Sequence, residues 1–222
     1  MTSFYTLSPL RVNYANLIKH YEGCFNQHGP TYKGVDWPNH HDSLKRHQVM
    51  ASLWQDDPCS PLKILDLGCG YGAFLTYLLE SNEKKRFAYT GIDLAHTMID
   101  WAQKHHPSHQ FWVQDILHYP LAEQSFDYGI MNGVLLEKLG LTFNEMEQFA
   151  HHMILGLFKG CRRGIAFNLM NDHVDWHRPD FFHVPFDRIA RFLTEHCSRH
   201  FRIHADYGLN EYTVFVYRNY IS

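Results

Sequence analysis

Apolar residues recur at helical spacing at the start of the chain and in short alternating blocks after residue 61. Leu10, Tyr14, Leu17, Ile18, Tyr21 and Phe25 fall on one side of a helix. Ser8-Pro9 supplies its start and Gly29-Pro30 its stop. After the loop TYKGVDWPN, a second helix is expected from about Asp42 to Trp54, with Leu44, Val49, Met50, Leu53 and Trp54 as its apolar side. Asp56-Asp57-Pro58 ends it.

From Leu62 strand and helix alternate. Strands are expected at Lys63–Leu67, Phe87–Ile92, Phe111–Val113, Phe126–Met131, Gly164–Leu169, Phe201–Ala205 and Tyr212–Tyr217. Helices fall at Phe74–Leu79, around Met98, Ile99 and Ala102, along the stripe Phe143–Leu157, and at Phe186–His196. Short connections between alternating elements imply a mainly parallel sheet covered on both faces. The turn at Tyr207-Gly208 is too tight for parallel neighbours, so the last strand pairs antiparallel with the one before it. We expect one domain, with residues 1–60 as a helical segment over a core spanning 61–222.

Composition narrows the options. Apolar residues make up 45% and charged residues 19%, a globular balance. Twenty Lys and Arg against 23 Asp and Glu leave −3 with no basic block, which argues against nucleic acid as a partner. The five cysteines are scattered without a CxxC pair, as in a reducing compartment. The N-terminus lacks the apolar core of a signal peptide, and no run of 18 apolar residues offers a membrane span. A soluble cytoplasmic protein with no membrane partner is expected; oligomeric state is not legible. Eighteen histidines occur without HExxH or finger spacing, so no metal site is expected.

The segment ILDLGCGYGAF runs from a strand through Asp66, Gly68, Gly70 and Gly72 into a helix. Glycines there let the backbone turn sharply and a ligand approach closely. The spacing also satisfies GxGxxA, with an acid at Asp93 as in dinucleotide enzymes, so the glycines alone leave both readings open. Asp66 inside the strand end disfavours a pyrophosphate and suits a cationic ligand. Asp93 and Asp115 then close the next two strands, in TGIDLAH and FWVQDIL. Acids at three successive strand ends, where such sheets bind ligands, favour the cationic ligand.

These motifs resemble the class I S-adenosylmethionine-dependent methyltransferases, from about Leu62 to the end. The resemblance implies a three-layer Rossmann-like sandwich of seven strands with a C-terminal antiparallel hairpin. It assigns Asp66, Gly68, Cys69 and Gly70 to the methionyl part of the cofactor, Asp93 to the ribose, and Leu94 beside it to cofactor binding. Asp115 and Ile116 go to the adenine, and Asn132 and Gly133 after the fourth strand to the border between cofactor and acceptor. Arg46 resembles the basic residue that binds the cofactor's carboxylate. The absence of NPPY or DPPY weighs against methylation of DNA bases. A small-molecule acceptor is therefore expected. The other readings are a non-catalytic cofactor-binding subunit, an RNA methyltransferase and an NAD(P)-dependent oxidoreductase. The N-terminal aromatics resemble the lid of small-molecule members, with Trp37 facing substrate. In the long connection 168–185, Trp176 is a substrate candidate, and His173 and His177 are candidates for proton transfer. Tyr207 at the closing turn is a further candidate.

Overall fold

The computed structural model describes residues 7, 9–10, 12–81 and 87–220. Its centre is one sheet. Strands β1 (Leu62–Leu67), β2 (Phe87–Asp93), β3 (Gln110–Val113), β4 (Phe126–Met131) and β5 (Cys161–Asn171) run parallel. A two-residue strand, β6 (His183–Val184), joins the end of β5, also in parallel. β7 (Phe201–His204) and β8 (Glu211–Tyr217) follow, and β8 lies antiparallel to both β5 and β7. The order β3-β2-β1-β4-β5-β8-β7 reverses direction between β1 and β4. Such a reversal opens a crevice at the carboxyl ends of the strands.

Both faces of the sheet are covered. Helices α5 (Phe143–Gly160) and α6 (Phe186–His196) bury Met146, Ile154, Leu157, Phe192 and Leu193 on one side. Helices α2 (His40–Ala51), α3 (Ala73–Glu80) and α4 (His96–His105) bury Met50, Phe74, Leu75, Ile99 and Ala102 on the other. This makes a three-layer Rossmann-like sandwich. The stripe anticipated on α5 starts at a capping box: the Thr142 side chain accepts the Glu145 N–H, and the Glu145 carboxylate accepts the Thr142 N–H.

The first helix is shorter than its apolar spacing predicts. α1 covers Ala15–His28, so Pro9 and Leu10 precede it, and Ser8 lies outside the described residues. Leu7 and Leu10 pack against the core instead, and the Asn13 side chain accepts the Ala15 N–H, which fixes where the helix begins. α2 starts earlier than expected because Asn39 caps it, accepting from Asp42 N–H at 2.8 Å. Its predicted end at Trp54 is a short 3₁₀ turn, Ser52–Trp54. Among the described residues no helix is long and apolar enough to cross a membrane.

Candidate functional site

β1 delivers Asp66 to the crevice, and the chain then winds through Gly68, Gly70 and Gly72 into α3. Gly68 sits at φ +81°, and a Cβ there would fall 2.2 Å from Val134 Cγ2. The N–H groups of Gly68 and Cys69 donate to the Ile92 carbonyl at 2.7 and 3.1 Å, pinning the loop to the end of β2. Alanine at Gly68 combines left-handed strain with this clash. We expect it to cost about 2–3 kcal/mol, roughly 4–12 °C in thermal midpoint for a chain of this size. Thermal unfolding of Gly68→Ala measures this directly.

The three acids are held differently. Asp66 is 2% exposed and accepts from the Tyr89 hydroxyl at 2.7 Å. Burial pushes its carboxyl up to about 7, opposed by the Tyr89 hydroxyl and reinforced by the nearby charge of Asp93. Asp93 clamps two loops, accepting from Gly70 N–H at 2.8 Å and Ala95 N–H at 2.9 Å. Burial lifts its carboxyl above the usual range, although these bonds favour the charge. Burial would also raise Asp115. Hydrogen bonds from Tyr14, at 2.5 Å, from His118 and from Leu117 N–H outweigh it and hold the carboxyl below the usual range.

These acids line one cavity, whose empty space together with its open mouth is about 1140 Å³. α1 roofs it with Leu17, Ile18 and Tyr21, and Tyr14 just before the helix joins them; Val35 and Trp37 continue the roof. Trp37 rests over Gly133, φ +89°, where a Cβ would meet Nε1 at 3.2 Å. Asn132 also lines the cavity, and both its amide atoms are buried without a hydrogen-bond partner among the described residues. His47 is 4% exposed, lines the cavity and leaves Nδ1 equally unpartnered. Burial, with the charges of Arg46 and His40, pushes its pKa down to about 3, so it is neutral at pH 7.

Behind the wall runs a polar chain. Asn168 accepts from Gly133 N–H at 2.8 Å and donates to Glu211 at 2.8 Å. Glu211, 1% exposed, also accepts from Arg46 Nε and Nη2 at 2.9 and 2.6 Å and from the Tyr207 hydroxyl at 3.3 Å.

Residues 64–154, which carry all three acids and Gly133, match the family described as a methyltransferase domain. Rv1506c of Mycobacterium tuberculosis, assigned as a methyltransferase, is 28% identical over 158 residues, 70% of this chain and 93% of that protein. The matched stretch thus carries the sequence pattern of a methyltransferase domain. Among solved structures, magnesium protoporphyrin IX methyltransferase from Synechocystis PCC 6803 shares the fold. It superposes with a TM-score of 0.66 at 15% identity, over 93% of this chain and 100% of that one. The 1,6-didemethyltoxoflavin-N1-methyltransferase of Burkholderia thailandensis gives 0.63 at 16%, over 96% and 91%.

In this chain Asp66, Gly68, Cys69, Gly70, Asp93, Leu94, Asp115, Ile116, Asn132, Gly133 and Trp37 all line the cavity. The other candidates are elsewhere. Arg46 lies outside the lining because Glu211 holds its guanidinium behind the wall, where its Cζ stands 5.2 Å from the Trp37 ring centroid. Tyr207 turns its hydroxyl to Glu211 and Thr213. His173 packs on Phe186, and exposed His177 bonds to the Asp172 carbonyl and stacks on His183. Trp176 is 44% exposed beside Phe181 and His183. The connection 168–185 folds back through β6 onto the end of β5, and none of these rings lines the cavity. Sequence reasoning missed His47 and Gln114 in the lining, and Asn168 and Glu211 behind it. Asn168, a lone amide inside the apolar run IAFNLM, was the one visible signal.

Proposed function

We propose that this domain uses S-adenosylmethionine to methylate a small-molecule acceptor bound beneath α1 and Trp37. The observation that carries the reading is the single cavity at the sheet's reversal, lined by Asp66, Asp93 and Asp115 in succession. The cradle fits the cofactor: Gly68 and Gly133 bring bare backbone to the wall, and Asn132 offers a buried donor and acceptor without partners. Asp93 would hold the ribose hydroxyls, Asp115 and Ile116 the adenine, and Asp66 with the glycine loop the methionyl end.

When bound, the cofactor supplies an activated methyl group on a sulfonium, transferred by in-line displacement. The protein's part is proximity and orientation. The apolar and aromatic roof excludes water and suits a flat or apolar acceptor. His47, neutral at pH 7, and Asn132 can fix an acceptor's polar edge by hydrogen bonds; His47 is too weakly basic to be a strong proton acceptor. The free scattered cysteines suit a cytoplasmic home.

Calorimetry with adenosylhomocysteine tests the reading, followed by an acceptor screen that measures homocysteine release. Asp66 adds a pH signature. Its folded pKa, about 7, is above the usual 3.8, so the ligand-free protein loses stability as pH rises from about 4 to about 7. A ligand ammonium beside Asp66 favours the carboxylate. Binding should therefore release a proton in that window and tighten as pH rises, levelling off above about 7. Calorimetry in buffers of different ionisation enthalpy reads the proton. Stoichiometric binding of a nicotinamide dinucleotide, with none of adenosylhomocysteine, would overturn the proposal.

A further inference from the structure

Outside the cavity the fold gathers one imidazole, one thiol and two carboxylates around the outer end of the roof. His20 and Cys24 stand four residues apart on α1 and so share a face, with Cys24 Sγ 3.7 Å from His20 Nε2. Asp36 ends the 3₁₀ turn Tyr32–Val35 in a left-handed conformation, φ 56°, which returns its carboxylate to α1. Its Oδ2 lies 2.6 Å from His20 Nε2. The donor atoms of His20, Cys24 and Asp36 all lie within 4.8 Å of one another. Glu137 arrives from the loop after β4, which is fixed by the bonds Lys138 N–H to Asp180 O and Phe182 N–H to Leu136 O. Glu137 Oε2 is 3.7 Å from His20 Nε2, buried, and without a hydrogen-bond partner among the described residues.

We propose that His20, Cys24, Asp36 and Glu137 form a binding site for one divalent metal ion of the zinc class. Imidazole, thiolate and carboxylate are zinc's preferred donors, and four of them make its tetrahedral shell. Bonds of about 2.0–2.3 Å put neighbouring ligand atoms roughly 3.4–3.8 Å apart. The Cys24–His20 and Glu137–His20 separations, both 3.7 Å, already match; the His20–Asp36 pair must open by about 1 Å, and Glu137 must close on the other three, which alone lie within 4.8 Å of one another. A cation also explains why two carboxylates converge at a half-buried place. The ligands come from α1, the turn after it and the loop after β4. Bound metal would thus fasten the roof to the sheet, next to Tyr21 and Val35, which line the cavity. The sequence hides the site because its members span residues 20 to 137 and only His20 and Cys24 show a spacing.

Cobalt(II) titration of the tag-free protein tests this. One equivalent should bind and give a near-ultraviolet thiolate-to-cobalt charge-transfer band. Cys24→Ser should abolish the band, whereas Cys59→Ser, at an exposed thiol, should leave it intact. Glu137→Gln should weaken zinc binding at least tenfold in competition with a chromophoric chelator. A circular dichroism spectrum matching wild type shows that each variant is folded. No band in the wild type, a band that survives Cys24→Ser, or zinc affinity unchanged in Glu137→Gln would overturn the proposal. Adenosylhomocysteine binding is measured separately on the same samples, so failure of the metal site and failure of the methyltransferase reading are distinguishable.

Discussion

Replacing Asp93 by alanine is expected to weaken adenosylhomocysteine binding at least about 100-fold. Hydrogen bonds to a charged group contribute about 1.5–3 kcal/mol each. Two ribose hydroxyls on one carboxylate therefore account for about 3–6 kcal/mol, and each 1.4 kcal/mol is tenfold in affinity. Asp93 is also a fastener: its oxygens accept from Gly70 and Ala95 N–H, and alanine releases both loops. The two losses separate by measurement. The fastener shows in the thermal midpoint of the ligand-free protein. The ribose contacts show in discrimination, because wild type should prefer adenosylhomocysteine over an analogue lacking both ribose hydroxyls, and Asp93→Ala should bind the two alike. Binding by Asp93→Ala within tenfold of wild type would remove Asp93 from the cofactor site.

Asp93 was legible for a reason that does not extend to the whole site. In a parallel sheet the carboxyl ends of neighbouring strands meet at one edge, so acids closing successive apolar runs converge without long-range information. Asp66, Asp93 and Asp115 are of this kind, as is the glycine loop, and all line the cavity. The alternating blocks likewise revealed the sheet and the antiparallel closing pair. They could not reveal β6, because two residues carry no periodicity. That short strand folds the connection 168–185 back onto β5 and so misplaced the expectations for His173, Trp176 and His177. Apolar spacing also overextended α1, since Leu10 packs on the core from outside the helix. His47 escaped notice because a histidine beside an arginine on a polar helix reads as surface, and only tertiary packing among Trp37, Phe74 and Tyr77 buries it.

Arg46 is the sharpest case, and Arg46→Met is expected to cost about 3–5 kcal/mol of stability. The resemblance gave this residue to the cofactor's carboxylate, but its guanidinium forks onto Glu211, 165 residues away in sequence. Both partners are buried, Arg46 at 8% and Glu211 at 1% exposure. Removing one member of such a pair leaves the other charge stranded, which sets the cost. For a chain of this length that is roughly 6–20 °C in thermal midpoint. Adding Glu211→Leu should recover only part of it, because Asn168 Nδ2 then loses its acceptor and Asn168 is what holds the Gly133 N–H. Ligand selectivity separates this role from the one the resemblance implied. Adenosylhomocysteine carries an amino-acid end that methylthioadenosine lacks. If Arg46 acts through Glu211, Arg46→Met still prefers adenosylhomocysteine by nearly the wild-type factor, measured below its lowered midpoint. If the preference collapses, Nη1, buried and without a partner among the described residues, is the group that grips the carboxylate.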